Sequence, residues 1–180
     1  MLFIEAMIIK TVNDFLQSNG GNYLEIGVYH GDTFFEIAKA NPQTKVYGID
    51  PFISDGWTGQ HKGTVLSDAE TVCNQKLPQF PNAHIFKSTS KQFAGSPFDV
   101  RGFNISVVFI DDSHWFDDVT IDTDLSMKLV GQKKGLLIYD DLHIGDVRRA
   151  IKETVDKYLN LTPLEDPRNY LGLGGIFEVN

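Results

Sequence analysis

Cysteine occurs once in this chain, at Cys73, so no disulfide can close within it, and a reducing compartment such as the cytoplasm is expected. With no second cysteine and no flanking acid–base pair, Cys73 reads as a packed helix residue rather than a nucleophile. Positive charge is scarce: 16 Lys and Arg stand against 24 Asp and Glu, a formal net charge of −8. A polyanionic partner needs clustered Lys and Arg, so nucleic acid is not expected. No apolar run approaches the roughly 20 residues of a membrane span, so no membrane partner is expected either. The stretch from Met1 to Lys10 has an apolar run broken by Glu5, no basic opening and no cleavage site; Val12, Phe15 and Leu16 continue it at helical spacing. It reads as an amphipathic helix over residues 3–18, stopped by Asn19-Gly20-Gly21-Asn22. Without internal repeats or a long linker, the 180 residues read as one domain.

What the chain does contain begins with Tyr23, Leu24 and Ile26, a short apolar run ending at Gly27. Gly31 follows four residues later, then Thr33, with Phe34, Ile37 and Ala38 at helical spacing. This is a strand, a tight turn and a helix, the helix ended by Asn41-Pro42. A second strand, Val46 to Ile49, ends in Asp50. Gly27 and Gly31 would let a ligand lie close to the backbone, and the acid at 50 can accept hydrogen bonds from the two hydroxyls of a ribose. Together they form a nucleoside-binding arrangement, although two glycines in such a turn also serve packing alone. Tyr29 breaks the G-x-G-x-x-G fingerprint, and no Gly-Lys-Ser/Thr follows, so neither a dinucleotide fingerprint nor a P-loop is present. Residues 51–66 have no periodicity but carry Phe52 and Trp57. They read as a loop closing over an active site, or as a mobile surface loop.

Residues 67–77 read as a helix begun by a Ser67 cap and ended near Pro78 and Pro81. Ala83 to Phe86 is a third strand running into Lys87-Ser88-Thr89-Ser90, and residues 91–103 are a weak helix and loop. Ile105 to Ile110, β-branched and nearly all apolar, is the clearest buried strand; it ends in Asp111-Asp112-Ser113-His114. A helix then runs to about residue 129. Gly135 opens a fifth strand ending in Asp140-Asp141-Leu142-His143, followed by an amphipathic helix from Asp146 to Leu159 and a final strand over 173–179. Strands that alternate with helices and end in polar residues or glycine imply an α/β fold. Its sheet is doubly wound and mostly parallel, with the ligand crevice at the carboxyl ends of the strands. If the fourth and fifth strands are neighbours, their acids converge. Clustered carboxylates raise one another's pKa unless a cation sits among them, and such oxygen donors suit Mg²⁺, Ca²⁺ or Mn²⁺ rather than zinc. Asp111 and Asp140 could instead merely cap the helices that follow them.

Glu25-Ile26-Gly27-x-x-x-Gly31 together with Asp50 resembles the first motif and ribose-binding acid of class I S-adenosylmethionine-dependent methyltransferases. The stretch Phe109-Ile110-Asp111-x-x-His114-x-Phe116-x-x-Val119-x-x-Asp122 is more specific, as are Gly135 to Asp141 and Val147-Arg148-Arg149-Ala150. These are similar to small methyltransferases related to the metal-dependent O-methyltransferases of sugars and macrolides, over about residues 22–158. The resemblance implies a Rossmann-like seven-stranded sheet with an antiparallel C-terminal strand, S-adenosylmethionine as cofactor and a small hydroxylated acceptor. It implies cofactor contacts at Glu25, Gly27, Tyr29, His30, Gly31, Thr33, Asp50, Pro51, Ser88, Thr89 and Asp111. It also implies a divalent cation on Asp111, Asp140 and Asp141, with Asp111, His114 and His143 as the catalytic set and either histidine as the base. Two departures stand out: Asp112-Ser113 where Gly-Asp is common, and Lys133-Lys134-Gly135 where Pro-Gly-Gly is common. No extended cap is evident, so loop 51–66 or the second subunit of a homodimer would have to cover the acceptor. Two other classes stay open: a nicotinamide-dependent oxidoreductase, and a non-catalytic nucleoside-binding or assembly protein.

Overall fold

The computed structural model describes residues 3–56, 62–97, 100–131, 133–158, 160–164 and 174–180. Helix α1 (Phe3–Asn19) leads into β1 (Asn22–Ile26), α2 (Asp32–Ala40) and β2 (Val46–Ile49). After a loop come α3 (Ser67–Lys76), a short 3₁₀ turn, β3 (Ala83–Phe86), α4 (Ser90–Ala94) and a second 3₁₀ turn at Val100–Phe103. The chain continues with β4 (Ile105–Ile110), α5 (Phe116–Val130), β5 (Gly135–Asp140), α6 (Gly145–Lys157), β6 (Leu161–Pro163) and β7 (Gly174–Val179).

The seven strands form one sheet in the order β3-β2-β1-β4-β5-β7-β6. The strands from β3 to β5 are parallel, and β7 runs antiparallel to both β5 and β6. The seven-stranded, mostly parallel expectation therefore holds, and its seventh strand is the three-residue β6. Nothing in Leu161-Thr162-Pro163 announces a strand, because so short an edge pairs through β7 and has no periodicity of its own.

Alternation along the central strands builds two cores. Val107, Phe109, Leu136 and Ile138 face Ile8, Val12, Phe34 and Ile37 on one side. Val108, Ile110, Leu137 and Tyr139 face Val119, Leu125, Val147 and Ile151 on the other. All six residues of β4 are buried, so this strand is apolar on both faces. Each large side chain placed there contributes about 1.5–3 kcal/mol of transfer free energy before entropy is counted.

Local differences from the sequence expectation have identifiable causes. Ser67 begins α3 but does not cap it; Leu66 holds the cap position, pinned there by its N–H donating to the Phe52 carbonyl at 2.7 Å. Residues 91–103 are not one weak helix. Thr89 caps α4 through a reciprocal pair with Gln92, and the helix ends at Ala94 before Gly95. Trp57 and Leu159 lie outside the described residues.

The order of strands places the topological switch between β1 and β4, where the chain leaves for β2 and β3 and then returns. Ligands of open α/β sheets bind at such a point, beyond the carboxyl ends of the strands. Three of the four described non-glycine residues with left-handed backbone stand on this rim: Tyr29 (φ 49°), Phe52 (φ 54°) and Asp141 (φ 57°) follow β1, β2 and β5. Each such residue costs on the order of 1–3 kcal/mol, and such strain gathers at functional sites.

Candidate active site

The turn after β1 is held by the protein itself. Gly27 N–H donates to the Ile49 carbonyl at 2.9 Å, and Asp111 N–H donates to the Ile26 carbonyl at 2.8 Å, so both neighbouring strands clamp the end of β1. Gly27 has φ +88°, and a Cβ there would stand 2.2 Å from the Asp111 carbonyl oxygen. Asp50 is 5% exposed. One carboxylate oxygen accepts from the N–H groups of Val28 (2.8 Å) and Tyr29 (2.7 Å), and the other accepts from Phe52 N–H. The acid that closes β2 is therefore the clasp of the turn. Burial raises its pKa, and the three N–H donors oppose that rise. Behind the turn, Glu25 is buried and accepts from the Tyr23 hydroxyl at 2.6 Å. Burial pushes its carboxyl up to about 8, with the nearby charges of Asp50 and Asp32 adding to the shift.

Adjacent strands β4 and β5 bring Asp111, Asp140, Asp141 and His114 to one narrow cleft. Neither Asp111 nor Asp140 caps a helix: Trp115 and Ile144 hold the cap positions of α5 and α6, without side-chain caps. Asp111 stays wetted on the cleft floor while protein atoms crowd around it. That crowding, then the charges of Asp140 and Asp141, drives its carboxyl well above the usual range. Its contact with solvent tempers the rise. Asp140 Oδ1 accepts from the N–H of Asp141 at 2.8 Å. His114 bridges two acids, with Nε2 2.8 Å from Asp141 Oδ2 and Nδ1 3.0 Å from Asp55 Oδ2. A carboxylate on each ring nitrogen makes both nitrogens donors, so the ring carries a proton on each. The Asp141 bond first, and then the Asp55 bond against some desolvation, raise its pKa to about 9. His143 is more open, its Nδ1 3.6 Å from Asp141 Oδ1.

A second recess, of about 300 Å³, lies on the α4–α5 side of the rim. Pro51, Ile53, Thr89, Ser90, Asp112, Ile121 and Asp122 are among its walls. Crowding by protein atoms, followed by Asp50, Asp55 and Asp118, raises the Asp112 pKa to about 7.

Residues 24–142 match the model of a methyltransferase domain. The chain belongs to that methyltransferase family. It is a class I S-adenosylmethionine-dependent enzyme by that membership. No curated protein sequence matches this methyltransferase significantly. Among solved structures it is similar to the O-methyltransferase NovP (TM-score 0.71, 14% identity, 97% of this chain and 78% of that one). It is also similar to CalS11, a TDP-rhamnose 3′-O-methyltransferase of calicheamicin biosynthesis (0.65, 11%, 95% and 77%). A third likeness is to an O-methyltransferase from Bacillus cereus in complex with SAH (0.66, 14%, 96% and 80%). At these identities the likeness speaks for the fold.

The methyltransferase does not gather all its sequence-derived site residues at one place. Asp111, Asp140, Asp141 and His114 share the cleft, and Pro51 and Thr89 line the recess. Gly31 and Thr33 face a separate cavity beside Lys76 and Phe80, on the α2–α3 side. There His30 pairs with Asp68 at 3.4 Å, and a Cβ on Gly31 would press on the Phe35 ring at 2.5 Å. The packing account of the two glycines is thus sufficient for both. Tyr29 is 53% exposed on the turn. Ser88 Oγ is buried and finds no hydrogen-bond partner. Sequence reasoning missed Asp55, whose carboxylate anchors His114 and whose carbonyl accepts from Trp115 Nε1 at 3.0 Å. Its only signal was membership of an aperiodic, aromatic-bearing loop. Among the described residues, no three His, Cys, Asp or Glu side chains stand together as a ready metal-ligand set. In the cleft, Asp141 Oδ2 is engaged by His114.

Proposed function

We propose that this methyltransferase transfers the methyl group of S-adenosylmethionine to a hydroxyl of a small acceptor, with divalent-cation assistance at the β4–β5 rim. The observation that carries the reading is the convergence of Asp111, Asp140 and Asp141 in one cleft beside the family's glycine turn. The printed activities of the structural neighbours, O-methylation in NovP and of a rhamnose hydroxyl in CalS11, support it. The donor set fits a hard cation in chemistry, three carboxylates of which Asp140 and Asp141 raise the pKa of Asp111. In geometry the described side chains do not form a ready ligand set, and Asp141 Oδ2 is bonded to His114. Asp111, Asp140 and Asp141 would hold such an ion, which would supply Lewis-acid activation of the acceptor oxygen.

The protein's own groups account for the rest. The sulfonium of S-adenosylmethionine carries the methyl group to be displaced, and positioning the acceptor oxygen in line with it is the main catalytic task. Such positioning supplies on the order of 7–11 kcal/mol. His143, open to solvent beside Asp141, takes the hydroxyl proton. His114, protonated between Asp55 and Asp141, is unsuited to that task at neutral pH and instead supplies fixed positive charge. It also ties segment 51–56 over the rim. Asp50 contributes by shaping the turn; a ribose reaching it must share oxygens already bonded to Val28, Tyr29 and Phe52.

Calorimetry with S-adenosylhomocysteine, then methyl transfer to a panel of hydroxylated sugars and phenols, tests the proposal. Binding together with O-methylation that EDTA or Asp140→Ala/Asp141→Ala abolishes is expected. Methylation undiminished by both would remove the cation, and absence of donor binding at millimolar concentration would remove the whole reading.

A further inference from the structure

Asp141 stands in left-handed backbone (φ 57°) directly after β5, and each of its carboxylate oxygens faces a histidine. Oδ2 lies 2.8 Å from His114 Nε2, and Oδ1 lies 3.6 Å from His143 Nδ1. His114 is fastened more firmly on its other side. Asp55 Oδ2 accepts from the His114 backbone N–H at 3.2 Å and lies 3.0 Å from Nδ1 of the ring. The Asp55 carbonyl accepts from Trp115 Nε1 at 3.0 Å. Three bonds therefore tie residues 114 and 115 to Asp55, while Nε2 supplies the bond to Asp141. Of the ring's two contacts, the one to Asp141 can open without undoing the other.

The cleft bounded by Asp111, His114, Asp140 and Asp141 has about 10 Å³ of room, on the order of one water molecule. A cation and an acceptor oxygen together need more, so both can enter only if a wall of the cleft moves. Carboxylates converging on so small a space repel unless positive charge stands among them. His114, with a carboxylate at each ring nitrogen, supplies that charge.

On the reading that Asp111, Asp140 and Asp141 hold a divalent cation, we propose that His114 is the stand-in for that ion. It holds Asp141 Oδ2 in the unloaded site, yields it when the ion binds, and stays with Asp55 on the 51–56 side. Loading then cuts the tie between the end of β5 and segment 51–56. Ion affinity and the anchoring of that segment are linked, and each weakens the other to the same extent. Ion and histidine compete for one oxygen. A histidine that ligated the ion, or that merely propped Asp141 in place for it, would act in the opposite sense.

The test measures Mn²⁺ binding by calorimetry, without donor or acceptor, on the unsubstituted protein, on His114→Ala, and on His114→Ala combined with Asp141→Ala. Deleting the competitor is expected to tighten Mn²⁺ binding about ten-fold or more, and the double variant is expected to lose that gain. Affinity unchanged or weakened in His114→Ala overturns the inference while the cation reading stands, and so does an equal gain in the double variant. Absence of Mn²⁺ binding to both the unsubstituted protein and His114→Ala at millimolar concentration overturns the cation reading and the inference with it. Should His114→Ala fail to fold, amide exchange of the unsubstituted protein decides the matter. Mg²⁺ at a concentration shown to saturate is expected to quicken exchange of residues 53–56 about three-fold or more, with β4 and β5 unmoved. Exchange of residues 53–56 unaltered by the bound ion overturns the inference.

Discussion

Replacing Glu25 by Gln is expected to stabilise this methyltransferase, and to do so more as the pH rises. Glu25 is 2% exposed, with the Tyr23 hydroxyl donating to it at 2.6 Å. Burial lifts its pKa from 4.5 to about 8. The folded chain therefore keeps a proton that the unfolded chain releases. Stability from this group is fully present below about 4.5 and is lost as pH rises through about 8. At about 1.4 kcal/mol per pH unit, the loss relative to acid conditions reaches roughly 3 kcal/mol at pH 7 and levels off at roughly 4–5 kcal/mol above pH 8. These are ceilings, since local relaxation reduces the cost. Gln cannot ionise, and its carbonyl still accepts from Tyr23. Urea unfolding of both proteins at pH 5.5, 7 and 8.5 measures the gap directly, and the other buried acids cancel because both chains share them. The gap in favour of Gln should widen by about 3 kcal/mol across that range. A gap independent of pH, or a wild type more stable at pH 8.5, would show that Glu25 is already ionised in the folded protein and refute the account.

Asp50→Ala leaves the N–H groups of Val28, Tyr29 and Phe52 without their acceptor. After the relief of a buried charge is set against that loss, a net destabilisation of about 2 kcal/mol is expected by urea unfolding; unchanged stability would mean the carboxylate does not hold the turn. Gly27→Ala places a Cβ 2.2 Å from the Asp111 carbonyl in a left-handed conformation. It should lower stability by about 3 kcal/mol or more, seen as a fall in Tm, and an unaltered Tm would mean the strand ends part easily. His114→Gln removes the charged bridge between Asp55 and Asp141. Amide exchange of residues 53–56 should quicken while exchange in β4 and β5 stays slow; equal protection before and after would show that the bridge does not anchor the loop.

The sheet was legible because strands and helices announce themselves by different periods, and β4, from Ile105 to Ile110, is apolar at nearly every position. Its neighbour β5 repeats the pattern and brings a second pair of acids to the same edge, so the grouping of Asp111 with Asp140 and Asp141 followed from topology alone. The use of single atoms was not legible. Asp50 sits where a ribose-binding acid belongs, yet its lone pairs go to backbone N–H groups that no sequence pattern reports. His114 has the residue type of a base, but the two carboxylates that keep it protonated come from Asp55 and Asp141, 59 and 27 residues away. Asp122 was visible as one position of a motif, but its burial exists only once α4 and α5 are packed together.

These acids and their surroundings share a feature that bears on function. Acids remote from the rim, such as Asp124 beside Lys157 and Tyr158, have pKa values lowered by their partners. Glu25, Asp50, Asp111, Asp112 and Asp122 are all raised, with burial or crowding as the leading cause each time. Tyr29, Phe52 and Asp141 add backbone strain at the same rim. A fold whose stability rested on that rim would hold apolar residues and glycines there instead, since each desolvated acid costs more than the alkyl group that could replace it. The opposite choice, made at Asp50, Asp111 and Asp112 and at three residues with left-handed backbone along the carboxyl ends of four strands, makes the rim less stable than the sheet beneath it. Donor, acceptor or cation binding at such a rim relieves repulsion and desolvation already present. That is a physical reason for chemistry to be placed at the β4–β5 edge, quite apart from family likeness.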